Sequence, residues 1–352
     1  MPRLRRIDCS APGLVRRRAG RGFVYVDSDG AKVTDAEVLE RIDALAIPPA
    51  WADVWICPFP NGHIQAMGTD AAGRRQYRYH DEWRTRRDRQ KFERMIEFAQ
   101  ALPDLRAQVA DHLRHRDLTQ TRVLACATKL LDLGFFRIGT ESYAVQNKTF
   151  GLATMRREHV TVTRDTIHFD YVAKSGKRRV MAIASPEVLS VVRALKRRTG
   201  GGPELLAYRG DGGDWVDVKS HDINRYVRDV AGGPFSAKDF RTWHATVLAA
   251  VALAVSTEAP TSVAARRRAV SRAVSEVAHY LGNTPAVCRA SYIDPRVIDL
   301  YTSGVSVAPV LVALGAGQPF GELAVQGEIE RAVLDMLVTE ESPAEVPVRR
   351  SA

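Results

Sequence analysis

The segment HYLGNTPAVCRASYIDP, residues 279–295, spans the end of one predicted helix, a turn and the start of a second helix. Gly282 is placed to cap the first helix, and Thr284 followed by Pro285 is a typical helix start. The apolar positions of the second helix carry the chain to Tyr292. A tyrosine in that setting is more often a core aromatic residue than a reactive group. The segment therefore predicts two helices around a turn and leaves the role of Tyr292 to evidence from residues upstream.

The charge of the chain points to a polyanionic partner. Its 352 residues have room for two domains, and the net charge is +10. Residues 321–352 hold seven acidic residues against three arginines, so that segment is −4 and the rest of the chain is +14. A basic body suits nucleic acid, and the sequence has neither an apolar run that would span a membrane nor a secretory signal. We therefore expect a cytoplasmic protein with no membrane partner.

The start of the chain predicts a small lobe that is mostly β. Residues 1–19 are rich in arginine and are expected to be irregular, whereas residues 22–26 have the pattern of a strand. Residues 35–46 predict a short helix. Two further strands, at 53–57 and 62–68, are expected to be joined by a proline-containing turn.

Cations alternate with aromatic residues at the end of this lobe, in the segment DAAGRRQYRYH at residues 70–80. One interpretation is an edge strand that carries solvated arginines. The other is a nucleic-acid-binding segment, because arginines and aromatic rings contact phosphates and base edges. Composition alone leaves both interpretations open.

A helical pattern begins near residue 84 and continues through most of the remaining chain. Pro103 is expected to separate two helices, and a third helix ends at Gly134. Three short strands at 160–163, 166–169 and 180–183 interrupt the pattern, with the basic residues 174–179 at a hairpin tip. Further helices are predicted at 186–199, 220–230, 236–256 and 261–281.

These patterns predict an α+β protein with two lobes and a tail. The first lobe, residues 1–88, is small and mostly β. The second, residues 89–340, is larger and mainly α-helical and contains the short three-stranded sheet. Residues 341–352 are expected to form a disordered tail.

Three cations of the second lobe stand in settings that solubility alone does not explain. Arg137 lies between apolar neighbours and Gly139, and Arg241 lies near the start of an apolar helix, where backbone N–H groups favour a phosphate. Lys174 is on the hairpin tip. Each has an ordinary alternative: Arg137 could pair with Glu141, Arg241 with a core carboxylate, and Lys174 could be a solvated turn residue.

Several ordered motifs carry a resemblance to a known family. They are Phe-Arg-Ile-Gly at 136–139, Lys-Ser-Gly-Lys at 174–177, Lys-x-x-Arg at 238–241 and Gly-Asn-x8-Tyr at 282–292, preceded in the first lobe by IPPAW at 47–51, WICP at 55–58 and GRRQYRY at 73–79. Together they resemble the small type IB DNA topoisomerases of bacteria and poxviruses over about residues 20 to 300. The resemblance implies a fold of the tyrosine recombinase and topoisomerase IB kind, with the second lobe as the catalytic domain.

The resemblance implies that Tyr292 is a nucleophile. It would attack a DNA phosphodiester, forming a 3′-phosphotyrosine bond and freeing a 5′-hydroxyl. Arg137 and Arg241 would hold the nonbridging oxygens, where negative charge accumulates. Asn283, at a position where many relatives have histidine, would donate a hydrogen bond but transfer no proton.

The leaving 5′-oxygen needs a proton, and the resemblance makes Lys174 its expected donor, with Lys238 as a candidate helper. No cofactor and no metal are expected. Residues 174–177 lack the upstream glycine and the final hydroxyl residue of a nucleotide-binding loop. The cysteines form no Cys-x-x-Cys pair of the kind found in zinc sites. These are Cys9, Cys57, Cys126 and Cys288.

By the same resemblance, double-stranded DNA is the partner of a protein that acts in the nucleoid. A single copy would clamp the duplex between its two lobes and relax supercoils by letting the cut strand rotate. Tyr143 would contact a phosphate near the cut. The first-lobe residues expected to touch DNA are Arg74, Arg75, Gln76, Tyr77 and Tyr79.

Two residues depart from the family pattern, and two rival functions remain. Ala173 stands where relatives often have glycine, and His244 stands where a small residue is expected, so His244 is either a core histidine or lies close to the site. Tyrosine recombinases share the tyrosine and two arginines, but they usually have histidine at the position of Lys238 and usually lack the β lobe. A DNA-binding module without catalysis would need all the catalytic positions to coincide by chance.

Overall fold

The computed structural model describes residues 3–256, 262–313 and 327–339. The chain divides into two units, Met1–Glu93 and Arg94–Ala352. The division falls inside one helix, α2 (Asp81–Leu113), which also contains the predicted lobe boundary after residue 88. The predicted tail at 341–352 lies outside the described residues. None of the helices in the described part is both long and apolar enough to cross a bilayer.

The first unit is an antiparallel five-stranded sheet in the order β2-β1-β3-β4-β5, accompanied by one complete helix and the first part of α2. The complete helix, α1 (Ala36–Ala44), begins where Asp35 accepts hydrogen bonds from the backbone N–H groups of Glu37 and Val38. Ile42 of α1 packs with residues of β3 and β4 to form the core of this unit. The strands are β1 (Leu14–Ala19), β2 (Gly22–Val26), β3 (Ala52–Ile56), β4 (Ile64–Thr69) and β5 (Arg75–Tyr79).

The prediction that residues 1–19 are irregular was wrong, because Leu14–Ala19 forms β1, between β2 and β3. Its three consecutive arginines conceal the alternation that would mark a strand. Arg16 donates to the carbonyl oxygens of Pro48 at 3.1 Å and Trp51 at 2.6 Å, and its guanidinium lies 4.1 Å from the centre of the Phe23 ring. An arginine with such partners is as much a packing residue as a charge.

The second unit is mainly α-helical, and its core surrounds α7, a helix whose side chains are buried on nearly all sides. Phe98 of α2 contacts Phe240 of α7, with ring centres 4.9 Å apart. The helices of this unit after α2 are α3 (Gln120–Gly134), α4 (Glu141–Asn147), α5 (Pro186–Arg197), α6 (Ser220–Ala231), α7 (Ala237–Val255), α8 (Val263–Leu281), α9 (Pro285–Ser291), α10 (Pro295–Thr302), α11 (Ala308–Ala313) and α12 (Glu328–Thr339).

The prediction of two helices separated by Pro103 was also wrong, because α2 runs without a break from Asp81 to Leu113. Proline removes one backbone hydrogen bond from a helix and strains the preceding turn. Leu102 and Leu105, which flank Pro103, are both 1% exposed, and the buried face of α2 continues on each side of them. Burial of that face offsets the cost of the proline.

The predicted strands of the second unit form a three-stranded antiparallel sheet in the order β6-β7-β8. These are β6 (Val160–Val162), β7 (Ile167–Ala173) and β8 (Lys177–Ile183). The hairpin tip is Lys174–Gly176, shorter than the predicted 174–179, because β8 already begins at Lys177. The sequence patterns predict no strand between residues 199 and 220, but the structure has a further antiparallel pair there, β9 (Ala207–Arg209) with β10 (Trp215–Asp217).

Candidate active site

Tyr292 is the residue that follows α9, so it lies at the end of that helix. Thr284 caps the start of α9 by accepting from the backbone N–H of Val287, as the sequence predicted. The backbone around Tyr292 is fixed by α7: the Thr246 hydroxyl donates to the carbonyl oxygen of Tyr292 at 3.2 Å and accepts from the N–H of Asp294 at 3.1 Å. The Tyr292 side chain is half-buried.

Arg241 lies five residues before Thr246 on α7 and faces Tyr292. Its guanidinium carbon is 5.3 Å from the centre of the Tyr292 ring, and the residue is only 4% exposed. Its N–H groups donate to two backbone carbonyls, Leu281 at 2.9 Å and Phe135, so the alternative of a core carboxylate partner was wrong. Burial, and then the neighbouring Arg137, lower the pKa of Arg241 to about 10.

Arg137 is the second cation of this site, and it does not pair with Glu141. Its Nη2 donates to the carbonyl oxygen of Gly282 at 3.0 Å and to the side-chain oxygen of Asn283. Glu141 instead accepts from the backbone N–H of Ser220 at 2.9 Å and from its hydroxyl at 3.2 Å. Burial lowers the pKa of Arg137 as well, although nearby tyrosines oppose the effect.

Four successive carbonyls at the end of α8 each accept a hydrogen bond from an arginine. Arg179 of β8 donates to the first two, at 3.2 and 2.6 Å, while Arg241 and Arg137 donate to the third and fourth. Gly282 follows the helix with φ of +64°, which favours glycine. The helix C-terminus carries partial negative charge and therefore attracts these cations. The carbonyls belong to His279, Tyr280, Leu281 and Gly282.

The described part of the chain gives none of these three arginines a carboxylate partner. Their donors are oriented by neutral carbonyls, so their charges are not cancelled and remain available to an anion. Asn283 adds a further donor: its side-chain oxygen accepts from Arg137, and its Nδ2 is buried without a partner among the described residues. The arrangement suits a phosphate, whose oxygens accept several hydrogen bonds.

The two predicted lysines are exposed and are not held at the arginine cluster. Lys174 begins the β7–β8 tip, and Lys238 lies in the first turn of α7. Within the described residues neither ammonium group makes a hydrogen bond or an ion pair. The structure thus brings together Arg137, Arg241, Asn283 and Tyr292, leaves the two lysines free to move, and adds Arg179, which the sequence reasoning missed.

His244 is a core histidine, which decides between the two interpretations of the sequence. It is fully buried, and its Nε2 lies 3.4 Å from Oδ1 of Asp132. Arg106 binds the same carboxylate with two hydrogen bonds, at 2.9 and 2.8 Å, and also pairs with Glu330 of α12. Burial opposes ionisation of Asp132, but the hydrogen bonds from His244 and Arg106 outweigh it and hold the pKa of Asp132 below its usual value.

The basic aromatic segment of the first unit is an edge strand, β5, as one of the two interpretations predicted. Tyr77 and Tyr79 are 38% and 40% exposed, and their rings stack with centres 5.9 Å apart. Asp70 accepts hydrogen bonds from the Arg74 guanidinium at 3.0 Å and from the Gln76 amide at 2.9 Å. The backbone and side-chain hydrogen bonds of Arg74 lower the pKa of Asp70 to about 2.

Two other residues predicted to contact DNA, Arg75 and Tyr143, have side chains with few polar contacts among the described residues. Arg75 is exposed at the start of β5, and the described residues offer it no ion pair. Tyr143 of the second unit is half-buried in α4, and its carbonyl accepts from the Asn147 side chain at 3.0 Å. Both side chains are accessible to a partner.

Comparison with known proteins identifies relatives along most of the chain. A family model described as the catalytic core of eukaryotic DNA topoisomerase I matches residues 80–302, and one for the N-terminal domain of bacterial DNA topoisomerase IB matches residues 22–70. DNA topoisomerase 1B of Acanthamoeba polyphaga mimivirus is 30% identical over 295 residues, covering 82% of this chain and 87% of that protein. DNA topoisomerase 1 of Mycosarcoma maydis is 24% identical over 67% of this chain and 24% of its own length. DNA topoisomerase 1B of vaccinia virus (strain Western Reserve) is 17% identical over 66% of this chain and 71% of its own length.

Proposed function

This chain belongs to the type IB DNA topoisomerases, and we propose that it relaxes supercoiled DNA by cutting and resealing one strand through Tyr292. The observation that carries this proposal is the position of the Arg241 guanidinium, 5.3 Å from the Tyr292 ring and beside Arg137. One buried and one half-buried guanidinium group, Arg241 and Arg137, have no carboxylate partner in the described part of the chain and so favour an anionic substrate at the tyrosine. A DNA phosphodiester has that charge.

In the first step the Tyr292 oxygen attacks the phosphorus. The phenolic proton leaves to solvent, which reaches the half-buried side chain. A bond forms between the tyrosine oxygen and the 3′-phosphate, while the bond to the 5′-oxygen breaks. The energy of the phosphodiester is kept in the phosphotyrosine bond, so resealing by the 5′-hydroxyl needs no ATP.

Arg137, Arg241 and Asn283 stabilise the charge that develops on the nonbridging oxygens. Each arginine has N–H groups beyond those bound to carbonyls, and Asn283 Nδ2 has no other partner among the described residues. Loss of one such donor typically lowers the rate on the order of 10²–10³. These groups supply positive charge and hydrogen bonds without a metal ion.

Lys174 protonates the leaving 5′-oxygen, with Lys238 as a helper. Both ammonium groups are exposed, and Lys174 lies on a three-residue tip that can approach a bound strand. General acid catalysis of this kind contributes on the order of 10²–10⁴ in rate.

Duplex DNA is held by a single copy of the protein that closes its two units around it, within the nucleoid. The exposed rings of Tyr77 and Tyr79 and the cation of Arg75 contact the duplex from the first unit, and Tyr143 contacts a phosphate near the cut. Arg74 and Gln76 exchange their bonds to Asp70 for phosphate oxygens when DNA binds. The positive charge of the chain strengthens this binding.

The decisive experiment is relaxation of supercoiled plasmid in the presence of EDTA and without ATP. We expect complete relaxation by the wild type, and no relaxation or covalent DNA adduct from Tyr292→Phe, which should still bind DNA. Tyr208→Phe is the matched control, because Tyr208 is also half-buried and its hydroxyl makes one hydrogen bond, to Gln120 at 3.2 Å. An adduct that survives denaturant in Tyr292→Phe would refute the proposed nucleophile, and recombinant products would favour a recombinase.

A further inference from the structure

The hairpin that carries Lys174 is anchored by a residue five positions further along the chain. Arg179 lies on β8, opposite Tyr171 of β7, and its guanidinium reaches the end of α8. Nη1 donates to the carbonyl oxygen of His279 at 3.2 Å, and Nη2 donates to that of Tyr280 at 2.6 Å. These bonds connect the three-stranded sheet to the helix end that precedes Asn283.

The contact between Arg179 and the end of α8 requires a side chain that can donate two hydrogen bonds at once. The two carbonyls are consecutive and carry the partial negative charge of the α8 C-terminus, which a guanidinium matches with two N–H groups at once. The approach is close: a side-chain carbon added at Gly282 would lie 3.2 Å from Nη1 of Arg179. The hairpin is therefore held against the same turn that places Asn283 beside Arg137.

The hairpin is held near its tip on both strands: the backbone N–H of Phe150 donates to the carbonyl oxygen of Val172 of β7 at 2.8 Å, and Arg179 makes the contact from β8 to the end of α8. Within the described residues, Lys174 makes no side-chain bond, and the backbone at Ser175 and Gly176 turns through positive φ values of 67° and 70°. The position of the Lys174 ammonium therefore depends on how β7 and β8, the strands on either side of the tip, are held against the rest of the second unit. Arg179 provides that contact on β8.

We propose that Arg179 is a positioning residue, which docks the Lys174 hairpin on the end of α8 so that the lysine meets the leaving 5′-oxygen. This inference rests on the proposed role of Lys174 as the general acid. Arg179 acts through Lys174 and does not itself touch the reacting atoms.

Arg178 offers a matched control on the same strand. It is the neighbouring residue, it has the same charge, and it binds Asp170 of the same hairpin at 2.7 and 2.5 Å. Its removal takes an arginine and two hydrogen bonds from the hairpin but leaves the contact with α8 intact. Arg178→Ala should therefore cleave DNA within about threefold of the wild type, because surface ion pairs contribute little.

The test uses single-turnover cleavage of a duplex at a position mapped with the wild-type enzyme, with either oxygen or sulfur as the 5′-bridging atom. A thiolate leaves without a proton, so sulfur removes the need for a general acid. Misplacing a catalytic group by about 1 Å can lower a rate about 10²-fold, so we expect Arg179→Ala to be slowed on the order of 10- to 100-fold with oxygen. With sulfur it should come within about threefold of the wild type, as should Lys174→Ala.

Two results would overturn the inference. One is Arg179→Ala cleaving the oxygen substrate as fast as Arg178→Ala. The other is a defect of Arg179→Ala that persists with sulfur while that of Lys174→Ala is rescued. A defect of Lys174→Ala that persists with sulfur would refute the proposed general acid itself, and the inference with it.

Arg179→Lys keeps the test valid if Arg179→Ala does not fold. Its ammonium retains the charge but is not a planar fork for two consecutive carbonyls. We expect a smaller loss with oxygen than in Arg179→Ala, again rescued by sulfur, with a melting temperature close to that of the wild type. A loss in Arg179→Lys that sulfur does not rescue would contradict the proposal.

Discussion

Asn283→Asp should change the stability of the free protein and the rate of DNA cleavage in opposite directions. The substitution keeps the side-chain oxygen that accepts from Arg137 but replaces the buried Nδ2, which has no other partner among the described residues, with a second oxygen. If Nδ2 donates to the DNA phosphate, the variant loses that donor and adds a negative charge beside the phosphate. Asn283→Ala loses the donor without adding the charge.

The magnitudes follow from these contacts. Loss of one donor to the developing charge lowers the rate on the order of 10²–10³ in both variants. Two like charges about 4 Å apart repel by about 4 kcal/mol at an effective dielectric constant of about 20, and each tenfold in rate corresponds to about 1.4 kcal/mol. Arg137 cancels part of the repulsion. We therefore expect Asn283→Asp to cleave at least about tenfold more slowly than Asn283→Ala.

The stability of the free protein should change in the opposite direction. The new carboxylate would pair with Arg137, and the buried unpaired donor, which costs about 1–3 kcal/mol, would be gone. Arg137 would hold the pKa of the new carboxyl below its ordinary value of about 3.9, so the gain is present at neutral pH and is lost as the pH falls below about 4. Asn283→Asp should melt at or above the temperature of the wild type at pH 7.

The assay is formation of the covalent complex on a labelled duplex, trapped with denaturant, alongside thermal melting of the free protein. Asn224→Asp is the matched control, because it adds the same charge on α6 and keeps the oxygen that accepts from the N–H of Ala237 at 3.1 Å. It should react at close to the wild-type rate. If Asn283→Asp forms the complex as fast as Asn283→Ala, the phosphate does not meet Asn283.

Two further predictions concern DNA binding and the core. Arg75→Ala should reduce the slope of log affinity against log salt concentration by about 0.9, whereas Tyr77→Ala should weaken DNA binding with an unchanged slope. Fluorescence anisotropy at several salt concentrations would measure both slopes. Equal slopes for the two variants would contradict the assignment of Arg75 to a phosphate. Asp132→Asn should lower the free energy of unfolding by about 1–3 kcal/mol at pH 7, because Arg106 keeps Glu330 but loses its charged hydrogen bonds to Asp132. Since the pKa of Asp132 is held low, wild-type stability should fall as the pH drops below about 4 and that of the variant should fall less, which urea titrations at the two pH values would test.

The elements predicted correctly are those whose signals are local. The short helix predicted at 35–46, the start of α9 at Thr284 and the end of α8 at Gly282 all depend on residues close together in the sequence. The wrong predictions concern elements whose structure depends on contacts with residues far away in the sequence. β1 is stabilised by bonds from Arg16 to a loop some 30 residues away, and α2 passes Pro103 because the second unit buries the helix on both sides of it.

The same distinction applies to the candidate site. The family resemblance carried by the motifs singled out Arg137, Arg241, Asn283 and Tyr292, and these four lie together. Arg179 has no such signal, because its partners are backbone carbonyls, which every residue has and no sequence pattern marks. From the sequence alone, an arginine that anchors a basic hairpin cannot be distinguished from an arginine that is solvated.

The choice of carbonyls as partners has a chemical consequence for the site. A carboxylate beside Arg137 or Arg241 would orient the guanidinium equally well, but it would also cancel its charge and compete with a phosphate. Carbonyls at the end of α8 orient the same groups through partial charges and leave their net charge in place. The cost is the burial of cations without counterions, which is why the pKa of Arg241 falls to about 10. A site of this kind is most stable when an anion is bound, so DNA phosphate should raise the stability of the second unit as well as react there.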